Sequence, residues 1–145
     1  MSYLPSRAST KRHLADVFKL MPLRSRLLLA LHEEAMRGRS PLSTAEPEMI
    51  VAFGSGLNGC NYCHNAHKHV AAELGVELTV FEELVNDIDR APVADKMKPI
   101  LRFVRKLTQT PSEVGRADAQ AIYDAGWSED AFLDVVTICV LLQLF

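Results

Sequence analysis

The fold and the chemistry of this chain both centre on residues 48–67, which read EMIVAFGSGLNGCNYCHNAH. The stretch holds Cys60 and Cys63, two of the three cysteines, and three of the five histidines follow Cys63 within six residues. A thiol pair at this spacing can close a disulfide, bind a metal ion or anchor a haem. The choice among these chemistries decides the function of the protein.

The stretch is predicted to form two helices joined by a tight turn. The first helix spans residues 42–56, where Ser43 and Glu46 have capping-box spacing, and the second spans residues 60–74. In an antiparallel pair that turns near residues 57–58, Glu48 and His67 lie at the same height, each about 14 Å along its helix. The carboxylate is therefore predicted to orient or deprotonate the imidazole.

The second helix is predicted to gather the thiols and two histidines on one face. A rotation of about 100° per residue places Cys60, Cys63, His64 and His67 together and points His69 towards the surface. At the helix N-terminus the dipole and the free N–H groups favour the thiolate of Cys60. His67, one turn beyond Cys63, can then take the proton of Cys63 with help from Glu48, which is the relay that an activated thiol needs.

The rest of the chain is predicted to be helical as well. Apolar residues recur at helical spacing, and no alternating strand pattern occurs, so we predict an all-α, single-domain helical bundle. Residues 1–13 are interpreted as a flexible N-terminal lead-in and residues 14–145 as the domain. The further predicted helices span residues 14–21, 23–36, 79–89, 96–108, 118–123 and 128–145. Cys139 and Trp127 are predicted to be buried.

Composition excludes several classes of partner. The chain has 145 residues and a net charge of −2, so neither nucleic acid nor an anionic membrane is expected to bind it. Three cysteines are too few for a secreted disulfide framework, and the basic residues near the N-terminus precede no apolar run. We therefore expect a cytoplasmic protein.

Three chemistries remain for the thiol pair. The residues Cys60-Asn61-Tyr62-Cys63-His64 match the pattern of c-type haem attachment, but that attachment belongs to exported compartments. A structural zinc site needs four ligands, usually from two pairs, and the chain has no second pair. A redox dithiol needs only two thiols, an acidifying environment and a proton relay. We favour the dithiol, and we expect neither a cofactor nor a metal ion.

The same residues carry a resemblance to a known family. The spacing of Glu48, Cys60, Cys63 and His67, together with the segments 36–43 and 125–129, resembles the alkylhydroperoxidase D-like family of the carboxymuconolactone decarboxylase superfamily. The peroxidase-related branch is the most similar. The resemblance covers residues 14–145 and implies an all-helical fold in homo-oligomers, from dimers or trimers up to hexamers.

The resemblance also implies roles for the site residues. Cys63 would attack the peroxide, Cys60 would resolve the product as a disulfide, and His67 and Glu48 would form the relay. An external dithiol, such as a dihydrolipoyl protein, would supply the electrons. Tyr62 occupies the position between the cysteines that can carry a relay histidine in the family, and His64 could substitute for it.

Two further departures from the family pattern concern Pro47 and the C-terminus. Pro47 stands where an arginine is frequent, and the last helix of relatives is expected to continue past the position of Phe145. We predict an antioxidant enzyme that reduces organic hydroperoxides. The alternatives are a redox-sensing protein without enzymatic activity and a decarboxylase-like enzyme, and the latter chemistry does not require a dithiol.

Overall fold

The computed structural model describes residues 13–144, and within them the chain folds into eight α-helices and no strand. The predicted all-α fold is thus confirmed. The predicted lead-in, residues 1–13, lies outside the described residues except for His13. The helices are α1 (Leu14–Phe18), α2 (Pro22–Arg37), α3 (Ala45–Leu57), α4 (Asn61–Glu73), α5 (Thr79–Asn86), α6 (Met97–Gln109), α7 (Arg116–Asp124) and α8 (Glu129–Leu142), with a 3-10 turn at Pro111–Glu113.

Helix α3 is the centre of the molecule. It contacts α4, α5, α6 and α8, and every residue from Pro47 to Ser55 is buried. A helix enclosed on all sides must be apolar or small almost all round, which explains its run of Ile50, Val51 and Phe53. We predicted that this helix runs out at residues 54–56, but it continues to Leu57. Gly54 and Gly56, at the end of the helix, allow neighbouring helices to pack closely against it.

Two glycines of α3 allow its neighbours to approach closely. A Cβ atom on Gly54 would come within 2.8 Å of a Leu142 methyl group from α8, and one on Gly56 within 3.0 Å of His64 Nδ1 from α4. Between α3 and α4 the chain reverses at Asn58 and Gly59, and Gly59 has a φ of +69°, which glycine adopts without strain. We call α3, this turn and α4 the thiol hairpin.

The remaining helices close the core around the thiol hairpin. Helix α6 is amphipathic and buries Met97, Ile100 and Val104 among others, and α8 begins at Ser128, whose Oγ accepts a hydrogen bond from the Ala131 N–H at 3.2 Å. Cys139 is 3% exposed and Trp127 is 8% exposed, as predicted. None of the helices within residues 13–144 has the length and apolar character that a membrane span requires.

Helix α2 leaves exposed several leucines that its sequence pattern predicts to be buried. Its leucines recur at helical spacing, yet Leu27 and Leu31 are 61% and 47% exposed, whereas Ser25 and Met36 are buried. The helix lies along the outside of the bundle, with contacts to α8. Its polar residues His32 and Arg37 come close to side chains of the thiol hairpin, and this position makes α2 part of the candidate site.

Candidate thiol site

Cys60 lies at the N-cap of α4, where the sequence places it, and its thiol is only partly buried. Hydrogen bonds from the backbone N–H and then the thiol of Cys63 lower the pKa of Cys60 below the ordinary 9.0. Burial opposes this effect but is outweighed. The free N–H groups of the first helical turn thus stabilise a thiolate at Cys60, as expected for a helix N-terminus.

Cys63 lies in the first turn of α4, and its thiol faces a cavity. Burial, and then the hydrogen bond and the charge at Cys60, raise the pKa of Cys63 to about 11. The two thiols are unlinked in this structure. The pair therefore loses its first proton from Cys60, and Cys63 needs a base before it can act as a nucleophile.

His67 and Glu48 meet as the hairpin geometry predicts. His67 Nδ1 lies 2.6 Å from Glu48 Oε2, and the carboxylate is almost completely buried. Since an ionised carboxylate can only accept, the Nδ1–H of His67 donates this hydrogen bond. In the neutral form of the ring, this hydrogen bond leaves Nε2 as the nitrogen without a proton, which is the tautomer that a general base requires.

Arg37 completes the surroundings of Glu48. Its guanidinium donates a hydrogen bond to Glu48 Oε1, so the two carboxylate oxygens are bound by two different side chains. Burial raises the pKa of Glu48, but the hydrogen bonds from His67 and Arg37 outweigh burial and lower it below 4.5. The carboxylate stays ionised at neutral pH and can stabilise a protonated His67.

A cavity of about 210 Å³ opens beside these groups. Its walls are mainly apolar and come from α1, α2, α3, α4 and α8. Its polar or reactive members are Ser55, Tyr62, Cys63, His67 and His32, and its apolar members are Leu14, Phe18, Leu29, Met36, Val51, Ala66, Leu141 and Leu142. A small apolar ligand with one polar end fits such a lining.

The other predicted site residues point in different directions. Tyr62 is 70% exposed and is one of the residues that line the cavity. His64 is directed towards α3, where its Nδ1–H donates to the Ala52 carbonyl at 2.8 Å, and its ring meets the edge of Phe81. His69 is exposed, as predicted. The structure therefore places Cys63 and His67 on the same cavity, with Glu48 bound to His67, whereas His64 is not among the described residues that line that cavity.

Sequence reasoning missed two residues of α2, Arg37 and His32. Both reach the site from a helix that lies before the motif in sequence, and neither has a spacing that links it to the cysteines. One signal was present for Arg37. Because Pro47 replaces the arginine that is frequent beside Glu48 in the family, another cation was needed to pair with a buried carboxylate.

The described part of the structure was compared with the second predicted chemistry of the thiol pair, a metal site. Within residues 13–144, no group of three or more histidine, cysteine or acidic side chains is arranged to bind a metal. His67 is engaged by Glu48 and His64 by a backbone carbonyl, so the histidines near the thiols have other partners.

Comparison with known proteins identifies relatives by structure. No family model and no curated protein matches the chain. An uncharacterized peroxidase-related protein from Silicibacter sp. TM1040 matches with a TM-score of 0.81 and 25% identity, over 88% of this chain and 67% of the other. An alkylhydroperoxidase AhpD core, an uncharacterized peroxidase-related protein from Ralstonia eutropha JMP134, matches over the same shares with a TM-score of 0.80 and 25% identity.

A third structure extends the comparison to a different activity. The debrominase Bmp8, solved as a cysteine-to-alanine variant with 2,3,4-tribromopyrrole, matches over 88% of this chain with a TM-score of 0.74 and 14% identity. This match covers 67% of that protein and concerns the fold alone. The first two structures confirm the resemblance that the sequence motif indicates.

Proposed function

We propose that this alkylhydroperoxidase D-like protein of the peroxidase-related branch reduces organic hydroperoxides through a dithiol–disulfide cycle of Cys60 and Cys63. One observation supports this proposal above the others. The Cys63 thiol faces an apolar cavity that it shares with His67, a histidine held as a base by a buried carboxylate. A nucleophile, a base and a space for an apolar substrate thus lie together.

The first step of the proposed cycle activates Cys63. His67 Nε2 takes the thiol proton, and the Glu48 carboxylate stabilises the imidazolium that forms. The Cys63 thiolate attacks the outer oxygen of the hydroperoxide, so that an S–O bond forms and the O–O bond breaks. The products are a sulfenic acid on Cys63 and, after proton transfer, an alcohol.

The second step uses Cys60. Its thiolate attacks the sulfenic sulfur of Cys63, an S–S bond forms, and the hydroxyl group leaves as water after it takes up a proton. The lowered pKa of Cys60 suits this role because the attacking group must be ionised at neutral pH. An external dithiol then reduces the disulfide and restores both thiols.

Dithiol-dependent consumption of cumene hydroperoxide tests the proposal. The wild-type protein should turn over, and Cys63→Ser and Cys60→Ser should both lose turnover, whereas Cys139→Ala should retain it because Cys139 is buried in the core. Disulfide formation without turnover, with several dithiols offered, would favour the redox-sensing alternative. Undiminished turnover in Cys63→Ser would contradict the proposal.

A further inference from the structure

His32 shares the cavity with Cys63 and His67, although it is no part of the motif. It lies on α2, and its ring centroid is 6.2 Å from that of His67, with the ring planes inclined by 47°. Both rings and the Cys63 thiol line the same cavity. Two histidines therefore face the space in which a substrate of Cys63 would bind.

The surroundings of His32 favour its neutral form. Burial and the neighbouring His67 lower the pKa of His32 below 6.5, and Arg37 acts in the same direction. The carboxylates of Glu48 and Glu33 oppose them without reversing the effect. A neutral imidazole has one N–H donor and one acceptor nitrogen, which makes it a possible proton carrier.

Cleavage of a hydroperoxide requires a proton at a second place. When the Cys63 sulfur bonds to the outer oxygen, the inner oxygen leaves as an alkoxide, which is a strong base in an apolar cavity. Nδ1 of His67 is bound to Glu48, and Nε2 is the nitrogen that takes the thiol proton in the proposed first step. The Tyr62 side chain is mostly in solvent, and Ser55 is a weak acid. Among the described residues that line the cavity, His32 is a second imidazole, the side chain best suited to carry a proton at neutral pH.

We propose that His32 is a second catalytic histidine, which delivers the proton to the leaving oxygen. This inference rests on the proposed peroxidase function. The proton that His67 takes from Cys63 passes to His32, directly or through a single water molecule across the 6.2 Å between the ring centroids. His32 then protonates the alkoxide. The thiol and the hydroperoxide become a sulfenic acid and an alcohol, and both histidines end neutral.

A comparison of two oxidants with different leaving groups tests this role. tert-Butyl hydroperoxide releases a strongly basic alkoxide, whereas peracetic acid releases acetate, which needs no proton. We expect His32→Gln and His32→Phe to slow single-turnover oxidation of the thiols by tert-butyl hydroperoxide by about 100-fold. Oxidation by peracetic acid should change by no more than about threefold, since general acid catalysis is not needed there.

The controls separate this role from a contribution to packing. His69→Gln, a change at an exposed histidine of α4, should leave both rates unchanged. Both rates are measured on one sample, so a smaller folded fraction reduces the contribution of the folded protein to both reactions alike. An equal loss of rate for both oxidants, or no loss for either, would overturn the proposed role of His32 and leave the peroxidase function untouched. A wild-type protein that reacts with neither oxidant would overturn the peroxidase function, and this inference with it.

Discussion

At the scale of single residues, Glu48 is the group that connects the bundle to the thiol site. Its carboxylate is buried in the core helix α3 and is bound by His67 from α4 and by Arg37 from α2. An unpaired carboxylate buried at this position would lower the free energy of unfolding. The two donors therefore stabilise both the fold and the ionised state. The same pairing fixes the tautomer of His67.

This pairing makes the stability of the protein depend on pH. The pKa of Glu48 is lower in the folded protein than its ordinary 4.5, so the pairing stabilises the fold above that pH. The stabilisation is lost as the pH falls through the lowered value. We expect Glu48→Gln to reduce the free energy of unfolding by about 1–3 kcal/mol at pH 7, because it weakens two hydrogen bonds to a buried charge.

Urea unfolding at a series of pH values measures this effect. The difference between the wild type and Glu48→Gln should narrow as the pH falls below 4.5. The matched control is Glu73→Gln, at an exposed position of α4, which should change little at any pH. A difference for Glu48→Gln that stays constant down to the acid transition would show that the ionic pairing does not stabilise the fold.

The two thiols of the site should differ in reactivity. Because only the thiolate reacts with iodoacetamide, the labelling rate of Cys60 should reach half its maximum below pH 9, whereas that of Cys63 should reach half its maximum only near pH 11. Cys139 should stay unlabelled in the folded protein, since burial raises its pKa to about 12. Mass spectrometry of the labelled peptides gives the three rates, and faster labelling of Cys63 at neutral pH would refute this order.

The sequence predicts part of the site and misses the rest for a physical reason. The proximity of Glu48 and His67 follows from helix rise and a short turn, because both residues belong to one local hairpin. Arg37 and His32 reach the site only through the packing of α2 on the outside of the bundle, which depends on long-range contacts. Local periodicity carries no information about such contacts, so the residues outside the hairpin could not be found from it.

At the scale of elements, the thiol hairpin depends on its turn. Gly59 has a φ of +69°, which a β-branched residue adopts only with strain. We expect Gly59→Val to lower the free energy of unfolding by about 1–2 kcal/mol, since left-handed backbone disfavours L-residues by this amount. Gly59→Asn should cost less because asparagine tolerates this conformation. Thermal unfolding of both variants provides the measurement, and equal losses would contradict the role of the backbone angle.

The helices themselves were largely predictable, and the exceptions have one cause. Periodicity and caps such as Ser128 mark the helices well, because they are local features. The end of α3 was predicted to within one residue, but the packing role of its glycines, which make room for Leu142 and His64, was not. The leucines of α2 recur at helical spacing, which is typical of a buried face, but the structure leaves several of them exposed. In both cases tertiary packing overrides the local signal.

At the scale of the whole molecule, α2 presents an apolar stripe. Leu23, Leu27 and Leu31 recur every fourth residue and are 61%, 61% and 47% exposed. Large apolar side chains exposed in a row along one helix are typical of an interaction site. We propose that the stripe is buried against another copy of the chain in a homo-oligomer. The same helix carries His32 and Arg37, so assembly would also hold the site in place.

Light scattering after size-exclusion chromatography tests the assembly. We expect the wild type to have a mass that is a multiple of the monomer mass, and Leu27→Glu to shift the protein towards the monomer, because a charge in an apolar interface is costly. Leu78→Glu, a change at an exposed leucine before α5, is the matched control and should leave the mass unchanged. A monomeric wild type, or an unchanged mass for Leu27→Glu, would contradict the proposed interface.

The most direct test of the peroxidase function is a thiol count after a single addition of oxidant. The reduced protein, with its three cysteines, is treated with one equivalent of tert-butyl hydroperoxide in the absence of any dithiol. We predict that two thiols per chain disappear, that one tert-butanol forms, and that the peptides contain a Cys60–Cys63 disulfide. An unchanged thiol count, with the hydroperoxide intact, would contradict the account.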